Sequence, residues 1–104
     1  MELNEIQKFV DENPAVLLYF FNDNCAPCKI LRPKVQEIVE KEFPKIKVQL
    51  VNAGQSLPTA AAYGVFSSPT LIVFFESKEY IRESKNISIS ELRGKISRIY
   101  NMVF

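Results

Sequence analysis

At 104 residues the chain has room for one hydrophobic core, so a single domain over 1–104 is expected. Thirteen basic and twelve acidic side chains leave a net charge of +1, which excludes the large single-sign field of a nucleic-acid or anionic-membrane binder. No apolar run approaches the roughly 20 residues that cross a bilayer, and Met-Glu-Leu-Asn-Glu at the start lacks the basic region of a secretory signal, so a cytoplasmic protein is expected.

Glu2 to Glu12 places Leu3, Ile6, Phe9 and Val10 at helical spacing, and Asn13-Pro14 stops that helix. Ala15 to Phe21 is a continuous apolar run rich in Val, Tyr and Phe, which predicts a strand buried on both faces and closed by Asn22-Asp23-Asn24. From Ala26 to about Phe43, Ile30, Leu31, Val35, Ile38 and Val39 form one apolar stripe, with charged residues opposite and Pro33 inside as an expected kink.

Ile46, Val48, Leu50 and Val51 predict a second strand, followed by a turn at Asn52-Ala53-Gly54-Gln55. Ser56 reads as the cap of a short helix from Leu57 to Tyr63, ended by Gly64. Thr70 to Phe75 predicts another buried strand, with Lys78 to Glu83 as its hairpin partner across Glu76-Ser77. Ser88-Ile89-Ser90-Glu91 has the capping-box pattern and opens a last helix with Leu92, Ile96, Ile99 and Val103 on one face. The order α-β-α-β-α-β-β-α predicts an α/β sandwich, helices covering a sheet.

Chemistry concentrates at Asn24-Cys25-Ala26-Pro27-Cys28-Lys29, which holds the only two cysteines of a chain without histidine. Two thiols three positions apart at a helix start can close a small-ring disulfide or separate. At the N-cap or first helical position, Cys25 meets unpaired backbone N–H groups and the positive end of the helix dipole, which favour thiolate and pull its pKa below the free value of about 8.5. Cys28, one turn further in, is expected to be more buried and later to ionise. The reaction this predicts is thiol–disulfide exchange, with Cys25 as the attacking thiolate and Cys28 as the resolving thiol.

Zinc is the general competitor for a Cys-x-x-Cys pair, but a structural site needs about four N/S ligands. One chain without histidine or further cysteine supplies two, so metal binding requires a carboxylate or a second chain sharing its pair. Two cysteines are likewise too few for the disulfide framework of a small secreted domain.

These features resemble the thioredoxin family over most of the chain. The resemblance rests on the strand Val16 to Phe21, Cys25-Ala26-Pro27-Cys28-Lys29, Pro33, Tyr63-Gly64, and Ser68-Pro69-Thr70 leading into a strand. It implies a thioredoxin fold, a three-layer sandwich around a mixed four-stranded sheet in the order second, first, third, fourth, with the strand that typical members carry first apparently missing. The Ile46 to Val51 strand would then lie at an exposed edge, where a second copy could pair, although a monomer is expected. The resemblance also implies a cis Ser68-Pro69 bond beside the sulfurs, with Ser68 pairing to an extended partner segment. Its implied activity is reduction of protein disulfides through a redox-active Cys25–Cys28 disulfide, with no bound cofactor and an NADPH-dependent flavoprotein reductase as electron donor.

Four departures from the family pattern bear on that activity. Asn24 stands where the family usually has tryptophan, Tyr19 where it has a buried acid, and Leu50 where that acid has a lysine companion. Near Ser84-Lys85-Asn86 the family often has a glycine that lets the partner approach, where Lys85 would add positive charge or crowd the groove. The substrate groove implied here is Asn24, Ala26, Pro27, Ser68, Pro69 and Lys85, with Tyr19 and Lys29 supporting Cys28. The losses also fit a different class of function, a thioredoxin-like module that docks a partner without redox chemistry.

Overall fold

The computed structural model describes residues 2–104. Their elements are α1 (Leu3–Glu12), β1 (Ala15–Phe21), α2 (Ala26–Glu42), β2 (Lys47–Asn52), α3 (Leu57–Ala62), β3 (Thr70–Phe75), β4 (Lys78–Ser84) and α4 (Ile89–Val103). The strands form one sheet in the order β2-β1-β3-β4, with β1 parallel to β2 and antiparallel to β3, and β3 antiparallel to β4. The mixed four-stranded sheet in the order second, first, third, fourth, which the family resemblance implies, is therefore the sheet observed.

The two central strands are buried along nearly their whole length, as their unbroken apolar runs require. Their residues alternate between two layers. Ala15, Leu17, Tyr19, Leu71, Val73 and Phe75 face the layer of α2 and α4, where Val35, Val39, Leu92 and Ile96 complete the packing. Val16, Leu18, Phe20, Ile72 and Phe74 face Ile6 and Val10 of α1 and Ala60 of α3. Each fully buried side chain of this size contributes roughly 1.5–3 kcal/mol, so this double-sided burial is the main reason the sheet forms. Both cysteines belong to the α2/α4 layer.

Local signals set the element ends. Gly64 has φ +66°, and the N–H groups of Gly64 and Val65 donate to the carbonyls of Ala61 and Ala60, a Schellman closure of α3. Ser56 caps α3 through its backbone carbonyl, which accepts from the Ala60 N–H, and not through its hydroxyl. Ser88 Oγ accepts from the Glu91 N–H and opens α4. The Glu76-Ser77 turn has positive φ at both residues, the backbone of a two-residue type I′ hairpin.

Two expectations about buried faces change. Ile30, placed in the apolar stripe of α2 by its hydrophobicity, is 64% exposed. It lies two and a half turns before the buried Val39, hence on the opposite side of a helix with 3.6 residues per turn. Val103 similarly falls on the exposed end of α4. Helix α2 runs unbroken through Pro33. Pro33 lacks the amide that would bond the Lys29 carbonyl one turn back.

Candidate active site

The turn after β1 delivers the first cysteine to the start of α2. Asn22 Oδ1 accepts from the Asn24 N–H at 3.0 Å and the Asn22 carbonyl from the Cys25 N–H at 3.3 Å, an Asx-type reversal. Cys25 then takes extended backbone angles as the N-cap of α2, with Ala26 and Pro27 in the first turn. Its sulfur occupies the place that a Ser or Asp oxygen takes in an ordinary cap: the Cys28 N–H donates to Cys25 Sγ at 3.1 Å. Cys25 and Cys28 are joined as a disulfide, with Cα atoms 5.3 Å apart. In the dithiol the same N–H and the helix dipole favour negative charge on Cys25.

The pair is unequally covered: Cys25 is 7% exposed and Cys28 2%. Beneath Cys28, the Tyr19 phenol donates to the Cys28 carbonyl at 2.8 Å. Burial pushes this phenol above its ordinary 10.0, while the nearby Arg32 guanidinium pulls the other way. Tyr19 is thus a protonated donor at neutral pH and cannot take a proton from the Cys28 thiol as a carboxylate there would. Leu50 is the register partner of Tyr19 across β1 and β2, on the same face of the sheet. The positions where the resemblance implies an acid and a lysine are therefore adjacent in space, and both are uncharged here.

Beside Cys28 opens a cleft of about 490 Å³ lined by Phe21, Asn22, Asp23, Cys28, Lys29 and Arg32. It is roomy enough to bring water to the buried sulfur. Asp23 is tied to Asn52, whose Nδ2 donates to Asp23 Oδ1 at 3.0 Å. Arg32 is a site residue that reading the sequence missed. The signal was available, since Cys28 and Arg32 are four apart and share one face of α2.

The other wall comes from the segment before β3. The Ser68-Pro69 peptide bond is cis, Pro69 is buried and Ser68 half-buried. Thr70 Oγ1 donates to the Ser67 carbonyl at 2.7 Å, and the Lys85 N–H donates to the Pro69 carbonyl at 3.0 Å, tying the loop after β4 to the proline. Lys85 itself has φ +61°, the left-handed region that favours glycine. Between these parts runs a groove of about 340 Å³, where Pro27, Ile30 and Lys34 of α2 face Pro69, Lys85 and Ile87. Asn24, Ala26, Pro27, Lys29 and Lys85 are exposed around the disulfide. Ile30 and Lys34 are further groove residues missed in the sequence, one counted as core and the other as the solvated face of the helix.

Among the described residues no group of three or more His, Cys, Asp or Glu side chains is placed to hold a metal ion, and no helix is long and apolar enough to cross a membrane.

Comparison with known proteins agrees with the fold and the cysteine motif. The chain is 28% identical over 100 residues to the thioredoxin-like protein YdfQ of Bacillus subtilis, covering 96% of this chain and 88% of that one. Thioredoxin 1 of a Nostoc species is 38% identical over 68 residues, 65% of this chain and 64% of that protein. The structure of thioredoxin 1 from Thermosipho africanus superposes with a TM-score of 0.77 at 31% identity, covering 84% of this chain and 96% of that one. Because the family model for thioredoxin also matches residues 2–98, nearly the whole length, the chain belongs to the thioredoxin family, and its disulfide-forming pair equips it for thiol–disulfide exchange.

Proposed function

We propose that the protein is a thiol–disulfide oxidoreductase that reduces disulfides of partner proteins, with Cys25 as nucleophile and Cys28 as resolving thiol. The observation that carries this reading is the Cys28 N–H aimed at Cys25 Sγ on the N-cap of α2. That geometry stabilises a Cys25 thiolate and leaves the more buried Cys28 protonated until needed.

In the dithiol state, the Cys25 thiolate attacks one sulfur of the partner disulfide. A Cys25–partner S–S bond forms, the partner S–S bond breaks, and the departing partner thiolate takes a proton. Cys28 then loses its proton and attacks Cys25 Sγ, closing the Cys25–Cys28 bond and releasing the second partner thiolate. The partner gains two electrons and the chain loses two. Proton transfer from Cys28 uses the cleft beside it, since Tyr19 is engaged and protonated. Ala26 and Pro27 hold the two sulfurs in one helical turn, while Asn24, Ser68, Pro69 and Lys85 frame the partner segment, which pairs with the Ser68 backbone as an added strand. No bound cofactor enters the cycle. An NADPH-dependent thioredoxin reductase regenerates the dithiol, and the chain works as a cytoplasmic electron carrier. It acts as a monomer, with the exposed Lys47 discouraging pairing at the β2 edge.

Cys25→Ser is expected to abolish insulin reduction, and Cys28→Ser to accumulate mixed disulfides with partner proteins. In the reduced protein, alkylation below neutral pH is expected to label Cys25 well before Cys28. Full activity of Cys25→Ser, or equally slow labelling of both thiols, would return the chain to the docking-module reading that the loss of the acid and lysine favours.

A further inference from the structure

The two hollows beside the start of α2 differ in charge. Overall the charge is +1, and Lys8, Lys41, Arg82, Arg93 and Lys95 each sit in an ion pair with a glutamate. The remaining cations form no ion pair among the described residues: Lys45, Lys47, Lys78 and Arg98 elsewhere, and four that line the two hollows beside the start of α2. Those four are Lys29 and Arg32 on the Cys28 side and Lys34 and Lys85 on the Pro69 side. Lys29 and Arg32 share their hollow with the Asp23 carboxylate, whereas Lys34 and Lys85 share theirs with no acid.

The Pro69 groove is the more selective of the two hollows. Its floor is apolar, with Pro27, Leu31, Pro69 and Ile87, and no carboxylate lines it. Ile30 stands exposed at its side. Lys34 and Lys85 supply its charge from opposite walls, one on α2 and one on the loop after β4. Lys85 has a left-handed backbone at φ +61°, and its N–H bonded to the Pro69 carbonyl holds the loop against the groove. Pro27, which lies between the two cysteines in the first turn of α2, lines this groove.

We infer that the preferred substrates are disulfides carried on acidic, extended segments. An apolar side chain next to the partner cysteine fills the floor at Leu31 and Ile87, and Asp or Glu residues on either side meet Lys34 and Lys85. This inference rests on the thiol–disulfide exchange reading. Two such contacts at a partly exposed site are worth about tenfold in the encounter and binding of a charged partner. The apolar floor and extended shape select polypeptide over a compact anion.

The test uses three disulfide-bonded peptides identical except for Glu, Gln or Lys on both sides of an apolar-cysteine pair. Each is mixed with the pre-reduced full chain, and second-order rate constants are read from the released thiols. At low salt the Glu peptide is expected to react about tenfold faster than the Lys peptide, with the Gln peptide between them. In 1 M NaCl, where screening acts over about 3 Å, the spread should fall below threefold. Lys34→Glu with Lys85→Glu should invert the order. If that variant does not fold, Lys34→Gln with Lys85→Gln should flatten it. Equal rates for all three peptides in the natural chain, or an unchanged order in the variants, would overturn the inference. Hydroxyethyl disulfide, small and uncharged, separates the two levels. If it is reduced without any charge order among the peptides, acidic selection alone fails. If neither it nor any peptide is reduced, the exchange chemistry fails and the inference with it.

Discussion

The Tyr19 phenol donates a 2.8 Å hydrogen bond to the Cys28 carbonyl, linking the centre of the sheet to the first turn of the redox helix. Its register partner Leu50 completes an uncharged pair where the family resemblance places an acid and a lysine. Loss of both charges together is physically coherent, because removing one partner of a buried pair strands the other at a cost of about 3–5 kcal/mol. The substitution keeps a hydrogen bond to the helix and gives up a proton acceptor near Cys28.

Tyr19→Phe removes that bond while keeping the ring, and is expected to lower stability by about 0.5–1.5 kcal/mol in urea unfolding. Tyr19→Asp alone should cost about 3 kcal/mol or more, as a buried charge without a partner. Adding Leu50→Lys should recover at least about 1 kcal/mol, since the two positions adjoin. Strictly additive effects in this double-mutant cycle would contradict the adjacency.

Alkaline pH should weaken the fold through its tyrosines. Burial raises the phenol of Tyr19 despite the opposing pull of Arg32, and burial raises that of Tyr63 with help from Asp11. A phenol with a folded pKa above its unfolded 10.0 keeps its proton longer in the native state. Its contribution is therefore whole below about pH 10 and is lost as pH rises from there through the folded value. Urea midpoints measured between pH 9 and pH 11 should fall more gently for Tyr19→Phe and for Tyr63→Phe than for the natural chain.

Lys85→Gly should raise stability by about 0.5–1 kcal/mol. Relief of the left-handed backbone at φ +61° outweighs the greater entropy glycine brings to the unfolded chain. Lys85→Ala keeps the β-carbon and should show no such gain. Comparing the two variants in urea isolates the backbone contribution from the loss of the amine.

The hairpin between β3 and β4 offers a second stabilisation. Glu76 and Ser77 both have positive φ, at 52° and 67°, in a turn whose favoured residues are Asn-Gly. Glu76→Asn with Ser77→Gly is expected to raise the thermal midpoint by several degrees, equivalent to about 1 kcal/mol for a domain of this size. An unchanged or lower midpoint would show that the present side chains compensate for their backbone.

The main elements were legible because each has a strong local cause. The apolar runs of β1 and β3, Gly64 beyond α3, Ser88 before α4 and the thiol spacing at a helix start carry their meaning in the order of residues. Burial faces were less legible where hydrophobicity and helical phase disagree. Ile30 is apolar yet lies opposite Val39, and only the packed helix shows it lining a groove.

By itself the sequence determined the disulfide-capable pair, the helix that begins at it, and the order of strands and helices, since these follow from spacing, capping and apolar periodicity. Tertiary structure alone decided what surrounds the sulfurs. That Tyr19 bonds the Cys28 carbonyl, that Leu50 sits beside Tyr19, and that Lys34 and Lys85 face each other across an apolar groove all depend on contacts between distant segments. Local propensity holds no record of such contacts. They arise only when strand register and the packing of α2 on the sheet bring those segments together.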